Sequence, residues 1–136
     1  LGSVTDIDTL VPHHSCDVII ACEILEHLPF ADFALALEKM KKISRRYIFI
    51  SLPDSRRILF QARIKLPFLK TLSCSWRIPG ARMAPEAKGR HQWEFGRRGF
   101  SSSRVCKEIE KAGLRIIADY SHLDTPQNHY FLLETV

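Results

Sequence analysis

Three side chains with catalytic potential stand close together near the amino end of the chain. Glu23, Glu26 and His27 occupy positions i, i+3 and i+4, so they would project from one face if the chain turned helical there. Two carboxylates and an imidazole suit Mg²⁺ or a transition metal whose coordination shell is completed by water. The ordinary alternative is that both glutamates are solvated or ion-paired. His27 alone indicates either a general base for a substrate hydroxyl or amine, or a hydrogen-bonded structural histidine.

A strand must position these side chains. Residues 17–22 are apolar and rich in β-branched types after a polar lead-in, a pattern that favours a buried strand. The strand runs directly into the acidic and imidazole side chains. Because open α/β sheets bind their ligands at the carboxyl ends of strands, the sequence predicts a ligand site at the end of this one.

The segment that follows predicts a strand–helix–strand unit. Pro29 permits a helix start, and apolar residues at helical spacing over residues 30–43 predict an amphipathic helix with a basic end. Residues 47–52 form a second apolar strand, which Pro53 ends. A unit of this length predicts two parallel strands joined by a right-handed crossover.

The carboxyl-terminal part predicts a helix and a pair of strands. Serines 101–103 provide a helix cap, and Gly113 ends that helix. Strands are predicted at residues 114–121 and 129–136, with a turn at 126–128 between them. This short connection makes the last pair antiparallel. The chain as a whole therefore belongs to the α/β class.

The middle of the chain, residues 53–99, carries the positive charge. Residues 54–99 contain eleven lysines and arginines against three carboxylates, whereas the rest of the chain is net acidic. We expect a short helix over residues 58–69 and a long loop beyond it. The basic character suits an anionic substrate such as a nucleotide sugar, a phosphorylated lipid or an RNA backbone, although arginine-rich loops are often only solvated. The aromatic residues interleaved here, typical of a nucleic-acid groove or a lipid-facing lid, are Phe60, Phe68, Trp76 and Trp93.

A short motif at residues 91–95 combines His91 and Glu94 with two aromatic residues. Trp93 and Phe95 are expected to anchor the middle segment to the core. The alternative is that the motif closes over a substrate, and His91 could serve either arrangement.

Length and composition predict one domain over residues 1–136, which carries the segment 53–99 as a basic insertion. The four cysteines lack metal-site or disulfide spacing, so reduced thiols and a cytoplasmic location are expected. The sequence contains no run of 18 apolar residues, so no membrane span is expected. No secretory leader is visible. Residues 1–4 read as the tail of a strand and 5–15 as a loop, so the chain opens in mid-pattern and is expected to be part of a longer protein.

The ordered combination of DVIIACEILEHLP, YIFISLP, HQWEF and NHYFLLE resembles the carboxyl-terminal part of a class I S-adenosylmethionine-dependent methyltransferase. The resemblance implies a partial Rossmann-like sheet of parallel strands with a carboxyl-terminal antiparallel hairpin. In it, residues 17–22 and 47–52 would be the fourth and fifth strands. The last two strands would be the sixth and seventh, with the seventh inserted antiparallel. The implied activity is methyl transfer from S-adenosylmethionine to a small-molecule or anionic acceptor.

The same resemblance implies cofactor contacts. Asp6 would bind the adenine amino group, Ile7 would lie against the ring, and Cys22 with Glu23 would pass beside the cofactor. The glycine-rich cofactor loop of the family is absent from these residues. We therefore expect half a site, weak or no cofactor binding by this chain alone, and an open sheet edge that could pair two copies.

The spacing of Glu23, Glu26 and His27 is also similar to that of metal-dependent O-methyltransferases, with His91 as the further ligand. A divalent metal there would lower the pKa of the attacking hydroxyl. Other members of the family carry a Glu-His pair without metal, and in that case His27 and His91 are the catalytic candidates. The competing hypothesis is a non-catalytic methyltransferase-like domain that binds RNA or a protein partner through its basic insertion.

Overall fold

The computed structural model describes residues 3–65, 67–68, 70–80 and 91–136. Within these ranges the helices are α1 (Ile7–Leu10), α2 (Phe30–Ile43) and α3 (Ser102–Lys111). The strands of the same ranges are β1 (Cys16–Cys22), β2 (Ser44–Pro53), β3 (Arg57–Ile64), β4 (Leu72–Ile78), β5 (Leu114–His122) and β6 (Thr125–Thr135). Single 3-10 turns cover Val4–Asp6 and Leu25–His27. No helix of the described ranges has both the length and the apolar character needed to cross a bilayer.

The main sheet has four strands in the order β1-β2-β6-β5. β1 and β2 are parallel, and β6 is antiparallel to both of its neighbours, β2 and β5. The α/β class, the parallel pair joined through α2 and the inserted antiparallel last strand are confirmed. The predicted bounds of α2 agree with the structure at both ends.

One face of this sheet is packed by α2 and α3. Alternate residues of β2, namely Ile48, Ile50 and Leu52, are fully buried on that face, as the period of two in a strand requires. The apolar stripe of α2 contributes Phe33 and Leu37, also fully buried. Each such side chain stabilises the fold by roughly 1.5–3 kcal/mol relative to an exposed one. The core is therefore concentrated between the helices and one sheet face.

The opposite sheet face and the β1 edge have less cover. Val18 and Ile20 of β1 remain exposed, and β1 pairs only with β2 among the described residues. The predicted strand is thus present, but it lies at an edge of the sheet here.

The predicted helix over residues 58–69 is wrong. Residues 57–64 form β3, which pairs antiparallel with β4 in a separate two-stranded sheet. The long loop expected beyond residue 69 is therefore also wrong over Leu72–Ile78. The alternation of Phe60, Ala62 and Ile64 with Gln61 and Arg63 has the period of a strand rather than a helix. Local alternation therefore outweighs the scattered apolar content that suggested a helix.

Two connections also differ from the predictions. The turn between the last two strands lies at Leu123 and Asp124 rather than at 126–128, because β6 already begins at Thr125, which pairs with His122. At the amino end, Val4 starts a 3-10 turn capped by the Ser3 hydroxyl, which accepts from the Thr5 amide at 3.2 Å. The expected strand tail at 1–4 is therefore wrong at residue 4, and Leu1 and Gly2 lie outside the described residues. The expected loop at 5–15 is wrong at Ile7–Leu10, which forms α1.

Candidate functional site

The carboxyl end of β1 turns sharply at Glu23. Glu23 has a left-handed backbone with φ of +55°, its amide donates to the Ser51 carbonyl at 3.4 Å, and its Oε1 accepts from the Ser51 hydroxyl at 3.1 Å. Leu25 then begins the single 3-10 turn that contains Glu26 and His27. The expectation that all three side chains project from one helical face is therefore wrong for Glu23, which is tied to β2 instead.

Glu26 is a buried carboxylate with little hydrogen bonding. Its side chain is 0% exposed, and no other described residue donates a hydrogen bond to either carboxylate oxygen. His27 Nε2 lies 3.7 Å and His91 Nε2 4.0 Å from Glu26 Oε1. Burial is the main cause that raises the pKa of Glu26. A hydrogen bond from its own backbone lowers that pKa, the charge of Glu23 raises it further, and the two histidines lower it. The pocket therefore favours a proton or a cation at this carboxylate.

His91 reaches the cluster because its segment is hydrogen-bonded to the 3-10 turn. The Gln92 amide donates to the Glu26 carbonyl at 2.8 Å, and the Gln92 side chain donates to the His27 carbonyl at 2.8 Å. Trp93 Nε1 donates to the Leu28 carbonyl at 3.2 Å, and its ring is fully buried. The anchor interpretation of this motif is confirmed, and the same anchor places His91 beside Glu26.

The three side chains Glu26, His27 and His91 form one ligand-sized cluster. Their potential ligand atoms all lie within 4.8 Å of one another, and the two imidazoles meet edge to face at 5.2 Å between ring centroids. Glu94 Oε1 lies 3.3 Å from His91 Nδ1, a carboxylate–histidine contact that orients the ring. The arrangement suits general-base chemistry or a bound cation.

The predicted cofactor residues lie in two places. Cys22 and Glu23 are exposed at the carboxyl end of β1, near the start of α2. Asp6 and Ile7 lie beside the other end of α2, since Asp8 pairs with Lys39 at 2.9 Å and with Lys42 in the last turns of that helix. The described structure does not bring the two pairs together.

A buried polar network, missed by the sequence reasoning, centres on Asp54. Its carboxylate accepts from the guanidinium groups of Arg56 and Arg77, each at 2.7 Å, and from the Ser121 hydroxyl at 3.2 Å. Burial alone would raise the pKa of Asp54, but the hydrogen bonds and charge of Arg56, with the charge of Arg77, outweigh it and lower the pKa. The network joins the β3–β4 hairpin to the main sheet. In the sequence, this network is indicated only by the acidic residue that directly follows Pro53 at the end of the strand.

His129 of β6 extends this network. Its Nδ1 lies 2.8 Å from the Ser121 hydroxyl, and its Nε2 contacts Asp119. Phe95 stacks on the imidazole at 4.0 Å between centroids. Burial is the largest cause that lowers the pKa of His129, against the charge of Asp119. A buried neutral imidazole with both nitrogens engaged has a structural role here.

A basic cavity of about 930 Å³ opens beside the network. Its lining includes the amino end of α3, Ser101–Ser103, and five arginines: Arg56, Arg57, Arg77, Arg97 and Arg98. Glu94 connects this cavity with the histidine cluster, because its Oε2 pairs with Arg97 at 2.7 Å while its Oε1 faces His91. One carboxylate therefore separates the candidate site from a cationic cavity.

The comparison with solved structures defines the fold. The chain superposes on the 1,6-didemethyltoxoflavin-N1-methyltransferase of Burkholderia thailandensis, solved with 1,6-didemethyltoxoflavin and S-adenosylhomocysteine, with a TM-score of 0.56 at 10% sequence identity. The match covers 96% of this chain and 47% of that one. The chain has part of a class I methyltransferase fold. The partial Rossmann-like sheet that the sequence resemblance implied is thus confirmed.

A second match is the glycopeptide N-methyltransferase MtfA, with a TM-score of 0.47 at 16% identity over 86% of this chain and 54% of that one. The chain spans about half the length of both solved methyltransferases. No protein-family profile and no curated protein matches the sequence.

Proposed function

We propose that this methyltransferase-fold chain contributes the acceptor side of an enzyme that transfers a methyl group from S-adenosylmethionine. The observation that carries the proposal is the cluster of Glu26, His27 and His91 at the carboxyl end of β1. Strand ends of this kind are where open α/β sheets hold their ligands. A buried carboxylate that accepts no hydrogen bond from another described residue is costly to stability, and such a group at a strand end is typical of a functional site.

The chemistry of the cluster follows from its geometry. Bound S-adenosylmethionine would supply an electrophilic methyl group. His27, half exposed at the mouth of the cluster, would take the proton from an acceptor hydroxyl or amine and so make it a better nucleophile. Glu26, within 4 Å of both imidazoles, would stabilise the imidazolium that forms. Proton transfer to a positioned base typically contributes 10²–10⁴-fold in rate.

The cofactor would be held only in part by this chain. We assign Cys22 and Glu23, exposed at the end of β1, to the cofactor side. Asp6 and Ile7, which the resemblance implies beside the adenine, lie at the other end of α2 and are left out of this assignment. The sequence contains no glycine-rich loop for the remainder of the cofactor. Calorimetry of this chain with S-adenosylmethionine should therefore show weak or no binding, and micromolar affinity would contradict the half-site assignment.

A divalent metal is a second candidate for the same cluster, favoured by the orphaned carboxylate of Glu26. Glu26, His27 and His91 would hold the ion, which would lower the pKa of an acceptor hydroxyl. Glu23 would not take part directly, since its carboxylate binds Ser51. Titration with Co²⁺ should give a visible absorption band that Glu26→Gln removes and Glu23→Gln keeps. A band unaffected by Glu26→Gln would exclude this site for the metal.

The acceptor is expected to be anionic. The basic cavity lies next to the cluster, with Glu94 between His91 and Arg97. A phosphate or carboxylate in the cavity would leave another group of the same molecule near His27. This arrangement favours a small anionic acceptor as the substrate class.

The test is transfer of tritium from S-adenosyl-[methyl-³H]methionine, with the protein expressed at the full length of its natural reading frame. The protein is incubated with an extract of metabolites and lipids as the source of acceptors. The label should enter one fraction of that extract, and the labelled compound should bind an anion exchanger. Label that enters no fraction, together with salt-dependent RNA or protein binding through the basic insertion, would favour the non-catalytic alternative.

A further inference from the structure

The β3–β4 hairpin is a two-faced ribbon. Its cross-strand pairs Phe60–Trp76, Ala62–Cys74 and Ile64–Leu72 alternate with Gln61–Ser75 and Arg63–Ser73. Since successive side chains of a strand point to opposite faces, the first three pairs share one wholly apolar face. The other face is polar. We refer to the first as the apolar hairpin face.

The polar face is turned toward the rest of the domain. Gln61 donates to the Leu123 carbonyl at 3.2 Å, Arg63 pairs with Asp124 at 3.1 Å, and Arg77 pairs with Asp54. These contacts fix the hairpin against the β5–β6 turn. The apolar hairpin face is consequently directed outward.

This outward face is solvent-exposed to an unusual degree. Trp76 is 67% exposed, Phe60 55%, Leu72 66% and Ile64 51%. At the tip, Phe68 is fully exposed. Contiguous apolar exposure of this kind marks an interaction surface, and a two-stranded ribbon of this type gains little stability from it in water.

The distribution of charge indicates whether the apolar hairpin face binds RNA, a second copy of the chain or a lipid bilayer. Lys65 and Lys70 flank the tip of the hairpin, while Arg63 and Arg77 lie on the opposite face and are already paired. A single-stranded RNA groove needs aromatic rings and cations together on one face, and here they are separated. Residues 57–78 contain no Asp or Glu, so the same face of a second copy would offer no anionic partner to Lys65 and Lys70. An amphipathic surface with lysines at its border matches an anionic bilayer.

We propose that the apolar hairpin face docks onto the surface of an anionic lipid bilayer, with Phe60, Trp76 and Leu72 entering the interfacial region. Lys65 and Lys70 meet the lipid headgroups. Tyrosine and tryptophan side chains are favoured at this depth because one end is apolar and the other polar. The proposal does not depend on methyl transfer and stands or falls separately from it.

The two tryptophans provide a direct readout. Trp76 is exposed, whereas Trp93 is fully buried in the core, so a change in emission on binding reports Trp76. The full chain is mixed with vesicles of phosphatidylcholine, with or without about one third phosphatidylserine. The expected result is a blue-shifted emission, quenched by lipids brominated on the acyl chains, only with the anionic vesicles.

Matched variants separate the apolar and the electrostatic contributions. Phe60→Ser with Leu72→Ser should reduce co-sedimentation with anionic vesicles at least tenfold. The control Leu35→Ser removes an exposed leucine of α2 and should have no effect. Circular dichroism melts confirm that the variants are folded.

The charges are tested in the same assay. Lys65→Gln with Lys70→Gln should weaken binding roughly tenfold to thirtyfold, as expected for two basic residues near an anionic surface. Lys107→Gln with Lys111→Gln on α3 is the control of equal charge and should bind as the wild type does.

Other outcomes would overturn the proposal. These are absence of binding to both kinds of vesicle, binding that the Phe60 and Leu72 substitutions leave unchanged, or a dimer in sedimentation velocity that those substitutions dissociate. Binding of a labelled single-stranded RNA in preference to anionic vesicles would equally contradict it, and would assign the hairpin to nucleic acid.

Discussion

Glu26→Gln should make the protein more stable at neutral to alkaline pH. The substitution preserves the shape of the side chain and removes the charge from a carboxylate that is fully buried and accepts no hydrogen bond from any other described residue. Glutamine resembles the protonated glutamic acid that the pocket favours. The variant therefore measures what the buried charge costs.

The magnitude follows from the unpaired oxygens. A buried polar group without a partner typically costs about 1–3 kcal/mol, and more when it is charged. The glutamine carbonyl would still lack a donor, but its amide could donate to the ring nitrogens of His27 and His91. We therefore expect a gain of about 1–2 kcal/mol in the free energy of unfolding at pH 8. For a chain of this length, this corresponds to a rise of roughly 3–8 °C in melting temperature.

The pH dependence has a defined sign. The pKa of Glu26 is raised in the folded state, so the folded protein binds the proton more tightly than the unfolded chain does. Wild-type stability then falls as the pH rises from the ordinary glutamate range through the raised pKa. The advantage of Glu26→Gln therefore shrinks as the pH is lowered toward the ordinary glutamate range.

The assay is urea unfolding followed by circular dichroism between pH 4 and pH 8, with a chelator present. Glu23→Gln is the control, because that carboxylate is exposed and hydrogen-bonded to Ser51, and it should change stability by less than about 0.5 kcal/mol. A Glu26→Gln protein that is less stable than wild type at pH 8 would refute the claim that this carboxylate is buried without compensation.

Two further substitutions test the elements that support the site. Asp54→Ala should destabilise the protein by about 3–5 kcal/mol, because it leaves Arg56 and Arg77 without their buried partner; urea titrations that show a loss below 1 kcal/mol would contradict this. Since the pKa of Asp54 is lowered, the contribution is present above the ordinary aspartate range and is lost as the pH falls through the lowered value. Trp93→Ala should cost about 3–5 kcal/mol and also release His91, which NMR would detect as a shift of the His91 ring signals; unchanged signals would show that Trp93 does not position it.

Local patterns made much of the fold predictable. The strand at residues 17–22, α2 and β2 follow from apolar spacing within single segments, and Pro29 marks the residue before the helix. The hairpin was missed because Pro67 and scattered apolar residues obscured the alternation of β3. Its partner strand β4 is specified only by pairing across the loop, which no single window of sequence contains.

The site was predictable only in part. The family resemblance predicted that His91 lies close to Glu26. Residue spacing alone could not predict this contact, because it depends on Gln92 hydrogen bonds that join segments distant in sequence. The turn at Glu23 was not predictable, because a left-handed glutamate has no sequence signature. The Asp54 network collects Arg77 and His129 from different strands, so only tertiary structure brings them together.

Activation of the methyl acceptor by the histidine cluster is decided by turnover and S-adenosylhomocysteine affinity, measured for His27→Ala in the protein of natural length. The control is His13→Ala, which replaces an exposed histidine in the loop before β1. We expect His27→Ala to lower the rate of methyl transfer by about 10²-fold or more with cofactor affinity unchanged, and His13→Ala to behave as wild type. Unchanged turnover in His27→Ala would show that the cluster does not activate the acceptor.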